Sequence, residues 1–194
     1  MVAVLLAEFF GTIPYMLAWN MNDGNNSPAL VLFTMICITG PISGGHLNPA
    51  LTLSVYIERN QYGRYACLAI SMAVAQILGC LAALAIGFML RVQIPIVEQP
   101  GEVYFVPGQY PFYPGIIDKV EGLPAYGQVF LAEMAGATLF LFFVMVAKFE
   151  IEKGVDYWMP CVGVAVALVF TSRIFNDVSG GLYNPAVALA LICW

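Results

Sequence analysis

Charge is what this sequence has least of: of 194 residues, seven are Lys or Arg and twelve are Asp or Glu, so 10% are charged while 61% are apolar. Soluble domains carry about 25% charged and roughly 45–50% apolar residues, and a mean hydropathy of +0.83 excludes a globule in water. The net charge of −5 and the absence of any basic run leave no electrostatic grip on nucleic acid or on anionic lipid. One histidine, with no Cys/His cluster at metal-ligand spacing, provides neither a metal centre nor, by extension, a metal cofactor. No nucleophile is paired with a base, so no enzyme is indicated and no cofactor is called for. Cys37, Cys67, Cys80, Cys161 and Cys193 all lie in apolar stretches, where small thiols pack and no disulfide framework is implied. Lys and Arg are also missing ahead of the apolar run that starts at Val2, so the N-terminus reads as a first membrane span and not as a secretory signal.

What remains is apolar sequence in long pieces. A hydrocarbon core of about 30 Å takes roughly 20 apolar residues of helix, and five stretches qualify as crossings. Residues 2–19 are broken only by Glu8. Residues 24–57 carry no charge but are punctuated by Pro28, Gly40, Pro41, Gly44, Gly45 and Pro49, which predicts a crossing before Gly40 plus something shorter. Residues 65–90, 128–147 and 157–172 supply the other three, the fourth crossing holding Glu133. Residues 91–127, crowded with Pro, Gly and Tyr, are expected to form a long ordered loop on one face, its aromatics Tyr104, Phe105, Tyr110, Phe112 and Tyr113 serving as interfacial belt and loop core. Residues 148–156 are expected as a short charged turn on the other face, where Arg59, Arg64, Lys148 and Lys153 outnumber Arg91 and Lys119. That bias places the long loop away from the cytoplasm. Arg173 reads as an interfacial cap of the fifth crossing.

An internal repeat organises these pieces. Residues 43–53 and 179–189 agree at seven of eleven positions, both running Ser-Gly-Gly-x-x-Asn-Pro-Ala. A second echo sets Ala7, Glu8 and Gly11 against Ala132, Glu133 and Gly136. Asn is a favoured N-cap and Pro a favoured first helical residue, so each Asn-Pro-Ala starts a helix after a Gly-rich extended stretch. Residues 49–57 and 185–193 make helices of about 13 Å, half a bilayer. Three crossings separate the two motifs, so the half-helices enter from opposite faces and their N-termini meet near the midplane, an arrangement used by solute pathways. The predicted fold is an all-α membrane protein: one domain over 1–194, a first repeat over 1–90, the loop over 91–127 and a second repeat over 128–194. Backbone irregular at that depth must line water or be buried in protein. The carbonyls of Gly44, Gly45, His46, Leu47, Gly180, Gly181, Leu182 and Tyr183 are therefore candidate lumen acceptors. Asn48, Pro49, Ala50, Asn184, Pro185 and Ala186 form the candidate pore centre, where half-helix dipoles repel cations and no ring of charge exists to make an ion filter. The bland reading of His46 is a packed histidine with satisfied hydrogen bonds.

The paired motifs, with Ser43-Gly44-Gly45-His46-Leu47-Asn48-Pro49-Ala50 in the first half and Ala7-Glu8-Phe9-Phe10-Gly11-Thr12 in the first helix, resemble the aquaporin, or major intrinsic protein, family over nearly the whole chain except the loop. The resemblance implies six crossings, two re-entrant half-helices and tetramers in the lipid bilayer with one pore per subunit. It further implies Asn48 and Asn184 as central donors, Glu8 and Glu133 as carboxylates holding the loops, and Gln76 and His46 as their supports.

The departures bear on what passes. Family water pores carry Arg directly after the second motif, where this chain has Val187, and the position three residues before Asn184 is Gly181. The fifth-helix constriction position falls on Ser172 or on Phe170, depending on the alignment. A neutral, widened filter of Val187 and Gly181 points to a passive channel for water or small neutral solutes such as glycerol, urea or peroxide. The alternative is a weakly conducting structural subunit of a larger membrane assembly. The second repeat lacks a counterpart of the third crossing, so the natural chain is expected to continue beyond Trp194 or a neighbouring subunit to cover that flank.

Overall fold

The apolar runs fold as helices because a chain in lipid must satisfy its backbone polar groups internally. The computed structural model describes residues 1–20, 27–60, 62–91 and 125–192. The regular elements among them are seven α-helices: α1 (Val2–Asn20), α2 (Ser27–Ser43), α3 (Pro49–Glu58), α4 (Tyr62–Arg91), α5 (Ala125–Glu152), α6 (Trp158–Ser179) and α7 (Pro185–Ile192). Within α1, α4, α5 and α6 lie four spans long and apolar enough to cross a membrane. At 17 residues, α2 covers about 25 Å. α3 and α7, with 10 and 8 residues, reach about half that or less.

α1 packs on α4 and on α2, α5 packs on α6, and α2 against α6 joins the two halves. α3 and α7 both rest on α4 and also meet each other. Gly79 lets α1 and α4 approach closely, because a Cβ there would strike the Phe9 carbonyl and the Thr12 hydroxyl. One buried cluster joins this junction to the first loop, α6 and α7 through Met16, Leu47, Cys80, Leu168, Ala186 and Val187.

Several helix ends differ from the sequence expectation. α2 continues past Gly40 and Pro41 to Ser43. Gly40 is there as space, since a Cβ on it would collide with the Tyr157 ring, whose hydroxyl donates to the Ile36 carbonyl at 3.1 Å. α5 continues through Lys148 to Glu152, and the turn is confined to the residues after it, where Gly154 (φ 91°) donates to the Ile151 carbonyl at 3.0 Å. Lys148 is thereby a half-buried helical residue and not part of a surface turn. α6 extends to Ser179, so Arg173 sits inside the helix and does not cap it. The predicted loop over 91–127 lies outside the described residues apart from its ends, where Arg91 closes α4 and residues 125–127 open α5. Its aromatic cluster lies outside them as well.

Candidate functional site

Two short stretches with the same backbone face each other. Gly44 and Gly180 have φ of 91° and 86°, Gly45 and Gly181 60° and 63°, Leu47 and Tyr183 50° and 49°. Gly44 and Gly180 close α2 and α6 in the left-handed conformation, donating to the Gly40 and Asn176 carbonyls at 2.9 Å each, a normal glycine stop. Leu47 and Tyr183 adopt the left-handed region with a Cβ, which costs about 1–2 kcal/mol each. Each is pinned by a carboxylate: Glu8 Oε2 accepts from the Leu47 N–H at 2.7 Å, and Glu133 Oε2 from the Tyr183 N–H at 2.9 Å. The other oxygen of each accepts from the preceding residue, His46 at 3.0 Å and Leu182 at 3.2 Å. The side chains at 47 and 183 fit because α1 and α5 present glycine to them. A Cβ on Gly11 would stand 2.6 Å from Leu47 Cδ2, and one on Gly136 would strike the Tyr183 ring. That ring stacks on Phe140 and meets Phe175 edge-on, while its hydroxyl donates to the Thr171 carbonyl at 2.8 Å.

The helix starts follow. Asn48 Oδ1 accepts from the Ala50 N–H at 2.8 Å and Asn184 Oδ1 from the Ala186 N–H at 3.0 Å, so both asparagines are N-caps and both prolines first helical residues. Asn48 Nδ2 then crosses to the Tyr183 carbonyl at 2.9 Å, and Asn184 Nδ2 to the Leu47 carbonyl at 2.9 Å. A primary amide has two N–H donors; among the described residues one is used in each case. The two α-helical N-termini, each equivalent to roughly half a positive charge, are held head to head.

Around Glu8 the first half carries a polar network with no counterpart around Glu133 among the described residues. Glu8 also accepts from Ser43 Oγ and from Gln76 Nε2, the latter at 2.6 Å. Gln76 Nε2 donates again to Thr52 Oγ1 at 3.0 Å, and Thr52 donates to the Asn48 carbonyl at 3.1 Å. With its own proton committed, Thr52 Oγ1 accepts from His46 Nδ1, 3.2 Å away. That assigns the proton of the neutral imidazole to Nδ1 and leaves Nε2 an acceptor, which meets Lys148 Nζ at 3.2 Å. His46 thus has a hydrogen-bond partner on each ring nitrogen. In the second half the positions of Thr52 and His46 hold Ala188 and Leu182, and Glu133 has two backbone donors among the described residues.

Sequence reasoning singled out Glu8, Glu133, Gln76 and the paired loops, but it missed Ser43, Thr52 and Lys148 in this network. A charge late in an apolar helix is the one signal that marks Lys148 in the sequence. The carbonyls proposed as lumen acceptors divide into two groups. Those of Leu47, Tyr183 and Gly181 accept from Asn184, Asn48 and Ser172, the last at 3.2 Å. Those of Gly44, Gly45, His46, Gly180 and Leu182 accept no hydrogen bond among the described residues.

The candidate constriction residues differ in burial. Val187 is 0% exposed and belongs to the buried core. Gly181 is pressed on α6, where a Cβ would stand 2.8 Å from Ser172 Cα. Phe170 is 53% exposed on α6 and stands apart from this set, so of the two alignments only the Ser172 one adjoins Gly181. Open space lies instead beside the first loop. A cavity of about 310 Å³ is bordered by His46, Thr52, Tyr65 and Met72. A second, of about 170 Å³, is bordered by Gly45, Leu51, Val144 and Cys161. Gly44, Arg59 and Lys148 border both.

The comparisons with known proteins agree with this architecture. The chain is 28% identical over 160 residues, 82% of its length, to a protein of Rhizobium meliloti (strain 1021) described as aquaglyceroporin AqpS. The matched segment is 55% of that relative, so the chain spans about half the length of the curated relative it matches. The sequence model described as "Major intrinsic protein" matches residues 2–106. That is more than half of the 194 residues, and the chain belongs to the major intrinsic protein family, as an all-α, multi-pass integral membrane protein.

Proposed function

We propose that this protein is a passive membrane channel for water and small neutral solutes of the glycerol type, with its pore centre at Asn48 and Asn184. The observation that carries the reading is the reciprocal bonding of the two asparagines. Capping and cross-loop bonds consume one acceptor and one donor of each amide, which among the described residues leaves one N–H on each to replace a solute's lost hydration. In the proposed setting α3 and α7 are re-entrant half-helices meeting near the bilayer midplane, and the unpaired carbonyls of Gly44, Gly45, His46, Gly180 and Leu182 supply acceptors along the path. Two positive helix ends at the centre disfavour cations, while a neutral polyol meets both donors and acceptors. Nothing in this requires a catalytic step. The aquaglyceroporin relative supports glycerol as a solute, and the family supports a homotetramer or a larger membrane assembly in the bilayer. A channel also fits better than a structural subunit, because a purely structural contact gives no reason to keep free donors at the centre.

The test is stopped-flow light scattering on liposomes holding the purified protein, with water and glycerol gradients run side by side. Glycerol flux above that of protein-free vesicles, abolished by Asn184→Leu in a folded protein, is the expected result. Flux indistinguishable from empty vesicles would refute the channel and leave the structural subunit.

A further inference from the structure

We propose that Lys148 is the specificity-determining cation of this pore, the residue that excludes permeant cations in a chain whose second motif is followed by Val187. The inference rests on the channel reading above and names the residue that supplies its charge selectivity.

Lys148 lies four residues before the end of α5 and points its ammonium at the first loop. Nζ is 3.2 Å from His46 Nε2, and a Cβ added to Gly44 would stand 3.5 Å from it. The side chain borders both the cavity of about 310 Å³ and that of about 170 Å³ beside that loop, so a solute that enters either one meets the ammonium. The imidazole that anchors it is neutral by hydrogen-bond accounting: its Nδ1 proton goes to Thr52, and Thr52 in turn is saturated by Gln76 and the Asn48 carbonyl. Lys148 donates one of its three protons to His46.

The charge also has no direct ion pair among the described residues. Among the described residues no carboxylate lies within 4.0 Å of Nζ; the ion pairs there are Arg59 with Glu152 and Lys153 with Glu150. The charged groups around it are Glu58 on α3 and Arg59 just after it, Glu152 on α5 and Glu8 on α1. Arg59 adds positive charge to the lining of both cavities, and Glu8 has its oxygens committed to four donors. The half-buried ammonium beside both cavities carries a whole charge, more than either of the helix ends at Asn48 and Asn184. Those amount to roughly half a charge each and are partly neutralised by the capping Oδ1 atoms. Fixed cations of this kind exclude protons and metal cations from pores for neutral solutes.

The test uses the full chain in liposomes, as parent, Lys148→Met, Lys148→Arg and Asn184→Leu. Glycerol flux and potassium leak are measured on the same vesicles. Potassium leak should rise about ten-fold in Lys148→Met, equal to about 1.4 kcal/mol on the barrier, with glycerol flux retained. Lys148→Arg should restore exclusion, which a merely structural role for the long side chain would not require. Lys148→Met that excludes potassium as tightly as the parent, while Asn184→Leu abolishes glycerol flux, overturns the role of Lys148 and spares the channel. A parent that conducts no glycerol overturns both. A Lys148→Met protein that fails to fold shifts the decision to Lys148→Arg, where a leak equal to that of empty vesicles supports the proposal and a leak above the parent's overturns it.

Discussion

Asn48 donates from Nδ2 to the carbonyl preceding Asn184 at 2.9 Å, and Asn184 returns the same bond to the carbonyl preceding Asn48 at 2.9 Å. Each asparagine therefore holds the other's loop and not only its own helix. The carbonyls they reach belong to Leu47 and Tyr183, the two residues in left-handed backbone, whose N–H groups are held by Glu8 and Glu133. Both sides of each strained residue are tied, one by a carboxylate and one by the opposite asparagine.

Replacing Asn184 by Leu removes the cap on α7 and leaves the buried Leu47 carbonyl without its donor. Loss of an N-cap costs about 1 kcal/mol and an unsatisfied buried acceptor about 1–3 kcal/mol. We expect Asn184→Leu to lower the unfolding temperature in detergent, followed by fluorescence, and Asn48→Leu to do so by a similar amount. A larger loss for one than the other by several kcal/mol would contradict the reciprocal bonding.

The helical class, the span positions and the two Asn-Pro-Ala helix starts were legible because they rest on local chemistry: apolar length, proline at the first helical position, glycine before it. Helix ends were less so. Gly40 read as punctuation, yet it is the gap that admits Tyr157, the residue before α6, and a gap is visible only once the neighbour is in place. Lys148 read as a surface charge, yet His46, a hundred residues away in the chain, gives it a partner in the interior. Phe170 and Val187 were assigned by counting along the chain, which fixes spacing but not which face of α6 or α7 meets its neighbours. Exposure of 53% for one and 0% for the other follows from packing that counting does not contain.

The two loop-holding carboxylates should differ in sensitivity. Glu8→Gln turns one acceptor oxygen into a donor amide facing donors from the Ser43, His46, Leu47 and Gln76 set. At Glu133 the same change disturbs only the Leu182 and Tyr183 N–H groups. With about 1–3 kcal/mol for each buried group left unsatisfied, Glu8→Gln should lose at least about 1 kcal/mol more than Glu133→Gln in urea or thermal unfolding. Equal losses would show that the extra side-chain donors contribute nothing.

Gly136→Ala places a methyl group inside the Tyr183 ring position. Overpacking of this kind costs about 1–3 kcal/mol, and the ring cannot retreat without losing its bond to the Thr171 carbonyl and its stacking on Phe140. The Gly136→Ala protein should be less stable than the parent, and adding Tyr183→Ala should then cost less than Tyr183→Ala does alone. Simple additivity of the two changes in a double-mutant cycle would refute the contact.

Val187 separates a packed centre from an open one. In this structure it is 0% exposed among Ala186, Ala190 and Leu191, although its place after the second motif suggested a wall of the lumen. If the packing is correct, Val187→Ala deletes two buried methyl groups and costs about 1.5 kcal/mol or more, from roughly 0.8 kcal/mol per buried carbon and the cavity left behind. Val187→Arg would bury a guanidinium without a partner, a penalty of several kcal/mol, and should yield little folded protein. Were Val187 instead to line water, Ala would cost little, and Arg would fold and cut glycerol flux more than water flux. Unfolding curves for both variants, read beside water and glycerol flux in liposomes, distinguish the two. The expected pattern is a destabilised Ala variant with flux retained and an Arg variant that does not accumulate; a stable Arg variant with selective loss of glycerol flux would show that the centre opens around Val187.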